Sequence, residues 1–377
     1  MFKILFLSLV ILGISSCETE EQTLPDSLDS TVDETEILYT MPEESEPHEG
    51  TWLQWPHHHQ YGRSYPKYLD NAWIQMTKEL IESEKVHIVA YDETEKNRII
   101  DLLTQENISL TNIDFKIYPN DDFWVRDNGA IYVRDQNGNL VIEDWGFNAW
   151  GKKANYQKCD IIPSKIANDQ NRTLIDLNQI MINEGGAIEV DGHGALLATK
   201  SAILNENRNP NMTQTQAETI FKKYLGVTHF IWLDGKIGSD ITDQHIDGFA
   251  RFLDSTTIIT MNSSDLLDFD IKQSDIDKLY NSKTKYNKPY KFIKLPLTKN
   301  NVTTTYDKSI GYKGSYINYY IANTKILVPN YNDPHDSVAN SILQQLYPNR
   351  TVIGIDARNM YIHGGMIHCV TQQQPQE

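Results

Sequence analysis

The sequence predicts an α/β protein that folds one supersecondary unit five times and closes the copies into a ring. Three features point there. Helical stretches with apolar residues three and four apart alternate with short apolar strands. Each such strand runs into a polar loop that opens a pair of strands. That order returns along the chain, alike in elements rather than in residues.

The folded part opens at Met41-Pro42-Glu43. A strand over 51–55 is stopped by Pro56, which cannot continue a ladder. A helix follows over 68–84, with Leu69, Trp73, Met76 and Leu80 on one face, then a strand over 86–91. The first copy has a helix over 93–105, a strand over 115–118 and the loop Asp121-Asp122-Phe123-Trp124-Val125-Arg126-Asp127-Asn128-Gly129. Its strands, 130–134 and 140–147, are joined through Asn137-Gly138, a dipeptide that favours hairpin turns. The second copy has a strand over 179–183, the loop Glu184-Gly185-Gly186, and strands over 187–190 and 195–199. The third has a helix over 213–225, a strand over 229–233, a loop through Asp243-Gln244-His245-Ile246-Asp247-Gly248, and strands over 249–253 and 256–261. The fourth has a helix over 274–282, a strand over 292–297, then 314–320 and 325–329. The fifth has a helix over 334–346 and a strand over 352–355, and ends in His363-Gly364-Gly365-Met366-Ile367-His368-Cys369. This last hairpin lacks a second strand, which residues 51–55 are expected to supply.

Seven Trp, twenty Tyr and eleven Phe in a chain 40% hydrophobic can build a substantial core. A net charge of −17 argues against a nucleic-acid partner, which needs a basic face, and is compatible with a cationic substrate. At the start, Lys3 precedes an apolar run over 4–14 that ends in Ile14-Ser15-Ser16-Cys17. The run is too short to span a bilayer and is flanked like a signal peptide. Its end resembles a bacterial lipobox, in which Cys17 becomes the lipidated first residue; an ordinary signal peptide cleaved elsewhere is the alternative. Residues 18–40 are acidic and without periodicity, a solvated tether. The expected organisation is a leader over 1–17, a tether over 18–40 and one folded domain over 41–377. The protein is placed at the bacterial cell envelope, on the membrane only through its lipid. Of three cysteines, Cys159 and Cys369 remain, either paired in an oxidising compartment or with Cys369 kept reduced.

Each copy puts a chemically capable residue in the loop entering its hairpin: Asp127, Glu184, His245 with Asp247, Asn318, and Cys369. In a ring these converge on the axis. Any one of them is a routine turn or cap residue, and Cys369 alone reads equally as a buried structural thiol. Together they suit one task. A thiolate is a strong nucleophile, and a histidine oriented by a carboxylate serves as general acid and base. Further carboxylates pair with a planar cation such as a guanidinium. Metal binding is the rival use. His57, His58 and His59 are adjacent and cannot easily converge on one ion, and no His-x-x-x-His or Cys-x-x-Cys spacing occurs. No metal or other cofactor is expected.

On these blocks the sequence resembles the agmatine deiminase and bacterial peptidylarginine deiminase family of the guanidine-modifying (pentein) superfamily. The resemblance covers residue 40 to the end. It includes Trp145-Gly146-Phe147-Asn148-Ala149-Trp150-Gly151, Leu204-Asn205-Glu206-Asn207-Arg208 and Ser315-Tyr316-Ile317-Asn318-Tyr319 besides the loops quoted above. It implies a five-bladed, pseudo-symmetric α/β propeller forming a single domain. It also implies Cys369 as nucleophile, His245 as general acid and base oriented by Glu184, and Asp127 and Asp247 holding the guanidinium. Trp124 and Asn318 would line the pocket. Ala187 and Met366 stand where many members have Asn, and Gln244 and His363 where Gly is common, which bears on pocket shape rather than on these roles. The implied chemistry is hydrolytic deimination through a covalent thiouronium, favouring agmatine, which yields N-carbamoylputrescine and ammonia. An arginine peptide is the alternative, since an envelope location would bring peptidylarginine within reach; free arginine also stays open, because Lys152 and Lys153 leave room for a carboxylate. A silent lipoprotein that binds guanidino compounds is a second alternative.

Overall fold

In the computed structural model residues 36–377 are described; Cys17, the leader and most of the tether lie outside the described residues. Among the described residues no helix is long and apolar enough to cross a membrane.

The strands form five separate sheets. One joins Gln372–Pro375, His48–Gln54, Lys85–Ala90 and Ile113–Ile117. The next joins Tyr39–Thr40, Ile131–Asp135, Leu140–Gly146 and Leu174–Ile182. The third holds Ile188–Val190, Ala195–Thr199 and His229–Leu233; the fourth Ala250–Asp254, Thr257–Thr260 and Lys291–Lys294; the fifth Tyr320–Ile321, Lys325–Asn330 and Thr351–Asp356. All five mix parallel and antiparallel pairs.

The grouping of elements differs from the sequence reading in one respect. The strand that follows each helix does not belong with the hairpin after it. It returns to pair in parallel with the second strand of the hairpin before it, as Leu174–Ile182 does with Leu140–Gly146 and His229–Leu233 with Ala195–Thr199. A helical crossover is what parallel neighbours require. The polar loops therefore run from the last strand of one sheet to the first strand of the next, so Asp127, Glu184, His245, Asn318 and Cys369 all lie on inter-sheet connections. The expected partner of residues 51–55 is found: Gln372–Pro375 pairs antiparallel with His48–Gln54, Gln372 opposite Trp52 and Gln373 opposite Thr51.

Local chemistry explains the helices. Glu93–Gln105 starts on Asp92, whose carboxylate accepts from the Glu95 N–H. Gln214–Leu225 starts on a Thr213/Gln216 capping box and stops at Gly226 in the left-handed region, φ 72°. Ile162–Gln170, absent from the sequence reading, opens on Pro163, a residue that reads as a breaker yet fits a first helical turn; it ends at Asn171 with φ 49°. Ser263–Asp268 was also missed. It is a six-residue helix, too short to show a period. Apolar faces such as Trp73, Met76 and Leu80 of Asp70–Leu80 feed the main core, and Cys159 is buried there as a free thiol, not bonded to Cys369.

The final strand is pinned by one amide. Gln374 Oε1 accepts from Trp52 Nε1 (3.0 Å), Tyr132 Oη (2.9 Å) and Gln170 Nε2 (2.7 Å), so it ties the chain end to both the first and second sheets. Gln374→Leu removes this shared acceptor, leaving Trp52 Nε1 only Tyr132 Oη at 3.1 Å, and should lower unfolding free energy by about 1–3 kcal/mol in a urea titration; a loss below about 0.5 kcal/mol would contradict this.

Candidate active site

The centre of the site is packed so tightly that at one position a Cβ would force the surrounding side chains to move. A Cβ on Gly186 would stand 2.7 Å from His245 Nδ1, 2.8 Å from Asp127 Oδ1 and 3.1 Å from Asp247 Oδ2. Its N–H donates to Asp127 Oδ1 at 3.1 Å. Three inter-sheet loops thus meet over one bare backbone atom.

Asp127 sits in the single turn Val125–Asn128. Its Oδ2 accepts from Trp150 Nε1 at 2.8 Å, and its Oδ1 lies 3.6 Å from His245 Nδ1. Trp150 reaches it from a strained loop in which Ala149, Trp150 and Lys152 all have φ between 51° and 63°. Asn148 holds that loop, accepting from Gly151 N and donating to Asn207 O, both at 2.8 Å.

On its other ring nitrogen, His245 Nε2 lies 2.9 Å from Glu184 Oε2. Arg208 Nε donates to Glu184 Oε1 at 3.0 Å, and Arg208 also pairs with Asp243. Asp243 and Gln244 precede the histidine with φ of 62° and 76°. That left-handed conformation favours glycine, so Gln244 is held there at a cost.

Asp247 Oδ2 lies 2.8 Å from His368 Nδ1 and 3.8 Å from Cys369 Sγ. Asn318 secures the thiol's own segment: its Oδ1 accepts from His368 N at 2.9 Å and lies 3.5 Å from Cys369 Sγ. His368 Nε2 in turn lies 2.7 Å from Glu44 Oε2.

A cavity of about 350 Å³ opens onto Cys369, His245, Asp247 and Asn318. Asp127 and Glu184 do not line it; they stand against His245. Trp124, expected in the pocket wall, does not line it either. Its indole packs on Gly365, where a Cβ would be 2.3 Å from Cζ3. Acidic residues continue outward along the cavity as Asp240, Asp268 and Asp270, and Lys313 there is paired with Asp268 at 2.8 Å. Lys153 is engaged, donating to Ile241 O and Asp243 Oδ2.

The electrostatics follow from burial. Loss of solvent pushes the Asp127 carboxyl up to about 6, against the pull of His245, with Asp247 and Glu184 adding to the rise. Burial would neutralise His245, yet Asp127 and Glu184 prevail and hold its pKa up at about 9. Burial acts against the Glu184 and Asp247 carboxylates too, but His245 with Arg208 keeps the first below its ordinary range, and His368 the second. Cys369 is driven well above the usual thiol range by burial and by the charges of Asp247 and Asp127. The resting pair is a neutral thiol and an imidazolium.

The sequence reading brought Asp127, Glu184, His245, Asp247, Asn318 and Cys369 together, and they do meet. It missed Glu44, Trp150, Gly186, Arg208 and His368 as members. All but Glu44, which directly follows the opening Met41-Pro42-Glu43, lay inside a quoted block, but nothing local marks a contact between residues as far apart as Glu44 and His368, 324 positions. Among the described residues no group of three or more His, Cys, Asp or Glu side chains is placed to hold a metal ion.

Fold and site set a class: five mixed α/β sheets whose connections gather a thiol, an imidazole and several carboxylates beside one cavity. The family follows from comparison. Residues 40–375 match the Porphyromonas-type peptidyl-arginine deiminase family. The chain is 32% identical over 358 residues to the agmatine deiminase of Pseudomonas aeruginosa strain LESB58, covering 89% of this chain and 95% of that one. The solved agmatine deiminase of Enterococcus faecalis superposes with a TM-score of 0.80 at 26% identity, over 90% of this chain and 96% of that one. A substrate-bound C. jejuni agmatine deiminase superposes with a TM-score of 0.75 at 27% identity, over 90% and 97% of the two chains. The chain belongs to this deiminase family.

Gly186→Ala tests the packing at the centre. It should leave the melting temperature within a few degrees but cut kcat/KM on a guanidino substrate by about 100-fold, through displacement of His245 and the two Asp side chains. Near-normal turnover would show that the carboxylates need not be held this closely.

Proposed function

We propose that this chain is a deiminase of small guanidino compounds, with agmatine as substrate and N-carbamoylputrescine and ammonia as products. The carrying observation is the set of groups around one cavity: Cys369 beside Asp247, and His245 between Asp127 and Glu184. In this reading the guanidinium enters the acidic cavity and offsets the charges of Asp247 and Asp127. That loss of negative potential lets the Cys369 thiol give its proton to cavity water. The thiolate attacks the guanidinium carbon. His245, already protonated, delivers its proton to the departing nitrogen, which leaves as ammonia. The thiouronium is then attacked by a water that gives one proton to His245; the adduct's hydroxyl gives the second to the departing sulfur, which releases the ureido product and restores the Cys369 thiol. Glu184 orients the imidazole, and Asn318 positions the nucleophile's segment.

Agmatine is favoured by the cavity's outer charge. Among the described residues Asp240, which lines the cavity, has no cationic partner to compete with a substrate ammonium, while no arginine lines the cavity to clamp a carboxylate. The second reading is deimination of peptidyl-arginine to citrulline, supported by the family's description. We further read the five sheets as blades of a pseudo-symmetric propeller, closed where Gln372–Pro375 meets His48–Gln54. Residues 1–17 are read as a lipoprotein leader ending at Cys17, with an acidic tether to about residue 40, so that the domain is anchored at the cell envelope.

Ureido-product formation on agmatine, free arginine and an arginine peptide decides the substrate. Agmatine should be preferred, and Cys369→Ala should lower its turnover at least about a thousandfold; preference for the peptide would replace this reading with the second. The pH profile of kcat/KM should be a bell. It should rise as the pH climbs through about 6, where the Asp127 group loses its proton, and fall through about 9, where His245 loses the one it must donate. An activity still climbing at pH 10 would remove His245 as the acid.

A further inference from the structure

His368 immediately precedes the thiol in the chain and is itself buried. Its backbone is fixed on both sides: N donates to Asn318 Oδ1 at 2.9 Å, and O accepts from Arg126 Nε at 3.3 Å. Its ring is fixed as well, with Asp247 Oδ2 at 2.8 Å from Nδ1 and Glu44 Oε2 at 2.7 Å from Nε2.

Counting protons assigns the ring's charge. A neutral imidazole carries one N–H, so it can donate to only one of two carboxylates. Either the ring is an imidazolium or one carboxyl is protonated. Glu44 is an unsuitable place for that proton. It meets Arg251 at 3.0 Å and Arg126 at 3.4 Å, and its Oε1 accepts from Ile321 N at 2.7 Å. Burial opposes its charge, but these cations hold it well below the usual carboxylate range. Asp247 likewise stays below its ordinary value despite burial. The remaining charged groups facing this centre are Glu189, which is raised by burial, and the His245 and Asp127 pair.

We infer that His368 is a positioning residue of this site: as an imidazolium clamped between Glu44 and Asp247, it holds the Asp247 carboxylate ionised and fixed beside Cys369 to receive the substrate's cation. The inference deepens the deiminase reading and rests on it for the identity of that cation. It also gives the segment around Glu44 a part in the site. That segment lies before the first strand of its sheet, and it reaches the nucleophile's segment through this ring and through Arg126. Asp247 and Asp127 thus come to differ. One is anchored as an anion by a fixed cation, while the other titrates near neutrality with His245.

The test separates charge from fold by using two alkylators of Cys369. 2-Chloroacetamidine carries a planar cation, and chloroacetamide is its neutral counterpart. The ratio of their alkylation rates measures recognition of the cation and needs no turnover. In His368→Gln, whose amide takes the place of Nε2 and leaves Asp247 without a donor, this preference should fall about tenfold, and its acid limb should move to higher pH. His368→Asn, with an amide in the place of Nδ1, should keep more of the preference. A folded His368→Gln with the wild-type ratio and acid limb overturns the inference. If that variant does not fold, Glu44→Gln is read instead: a smaller shift in the same direction supports the inference, and an unchanged profile overturns it. Wild-type protein that shows the amidine preference without turning over agmatine, arginine or the peptide would defeat the functional reading while leaving His368's role standing or falling on the variants.

Discussion

Everything at the centre of this molecule depends on keeping buried carboxylates ionised. Glu44, Glu184 and Asp247 lie where solvent cannot stabilise their charge, and Asp127 lies with them. Burial alone would protonate all four. Three stay anionic because a fixed cation meets each: Arg251, Arg126 and His368 for Glu44, Arg208 and His245 for Glu184, and His368 for Asp247. Removing one member of such a pair leaves an uncompensated buried charge, worth about 3–5 kcal/mol. The pairs cross between loops of different sheets, so the charge balance and the fold are the same constraint seen from two sides.

Strain enters for the same reason. Trp150 and Gln244 occupy backbone conformations that favour glycine, and both flank groups of the cluster. Trp150 reaches Asp127 only from that conformation, and Gln244 sets the approach of His245. Gly186 is the complementary solution. Where three charged side chains must converge, the chain omits a side chain altogether. Flexible loops would scatter these groups; loops held at each end by a sheet and cross-linked by arginines keep them in place.

Much of this was legible in the sequence. The five-fold recurrence of elements marked one capable residue per loop, and those residues do meet. The recurrence gave the strand order less well, because a strand's partner is set by a helical crossover that periodicity does not display. That is why each post-helix strand was grouped one hairpin too late. Trp124 was placed in the pocket wall only by the family resemblance, whereas its indole packs on the bare backbone of Gly365. Glu44 and His368 were invisible as partners because a single histidine between two distant acids leaves no local pattern. Arg208 was hidden likewise: its block was noticed, but its partners, Glu184 and Asp243, come from other loops.

The negative charge beside the thiol is not fully offset. His245 and His368 together face Asp127, Asp247, Glu184 and Glu44, while the arginines serve Glu44 and Glu184. The residue that shows it is Cys369, whose thiol is held neutral by burial first and then by the charges of Asp247 and Asp127. In the proposed mechanism a planar cation in the cavity relieves the carboxylates' share of that effect and favours loss of the thiol proton, so binding and activation share one electrostatic cause. A neutral urea of the same shape relieves nothing. The product therefore loses the interaction that drew the substrate in, and the site returns to its protonated, unreactive thiol. On that mechanism, buried acids placed beside the thiol make it reactive only when a cation is bound.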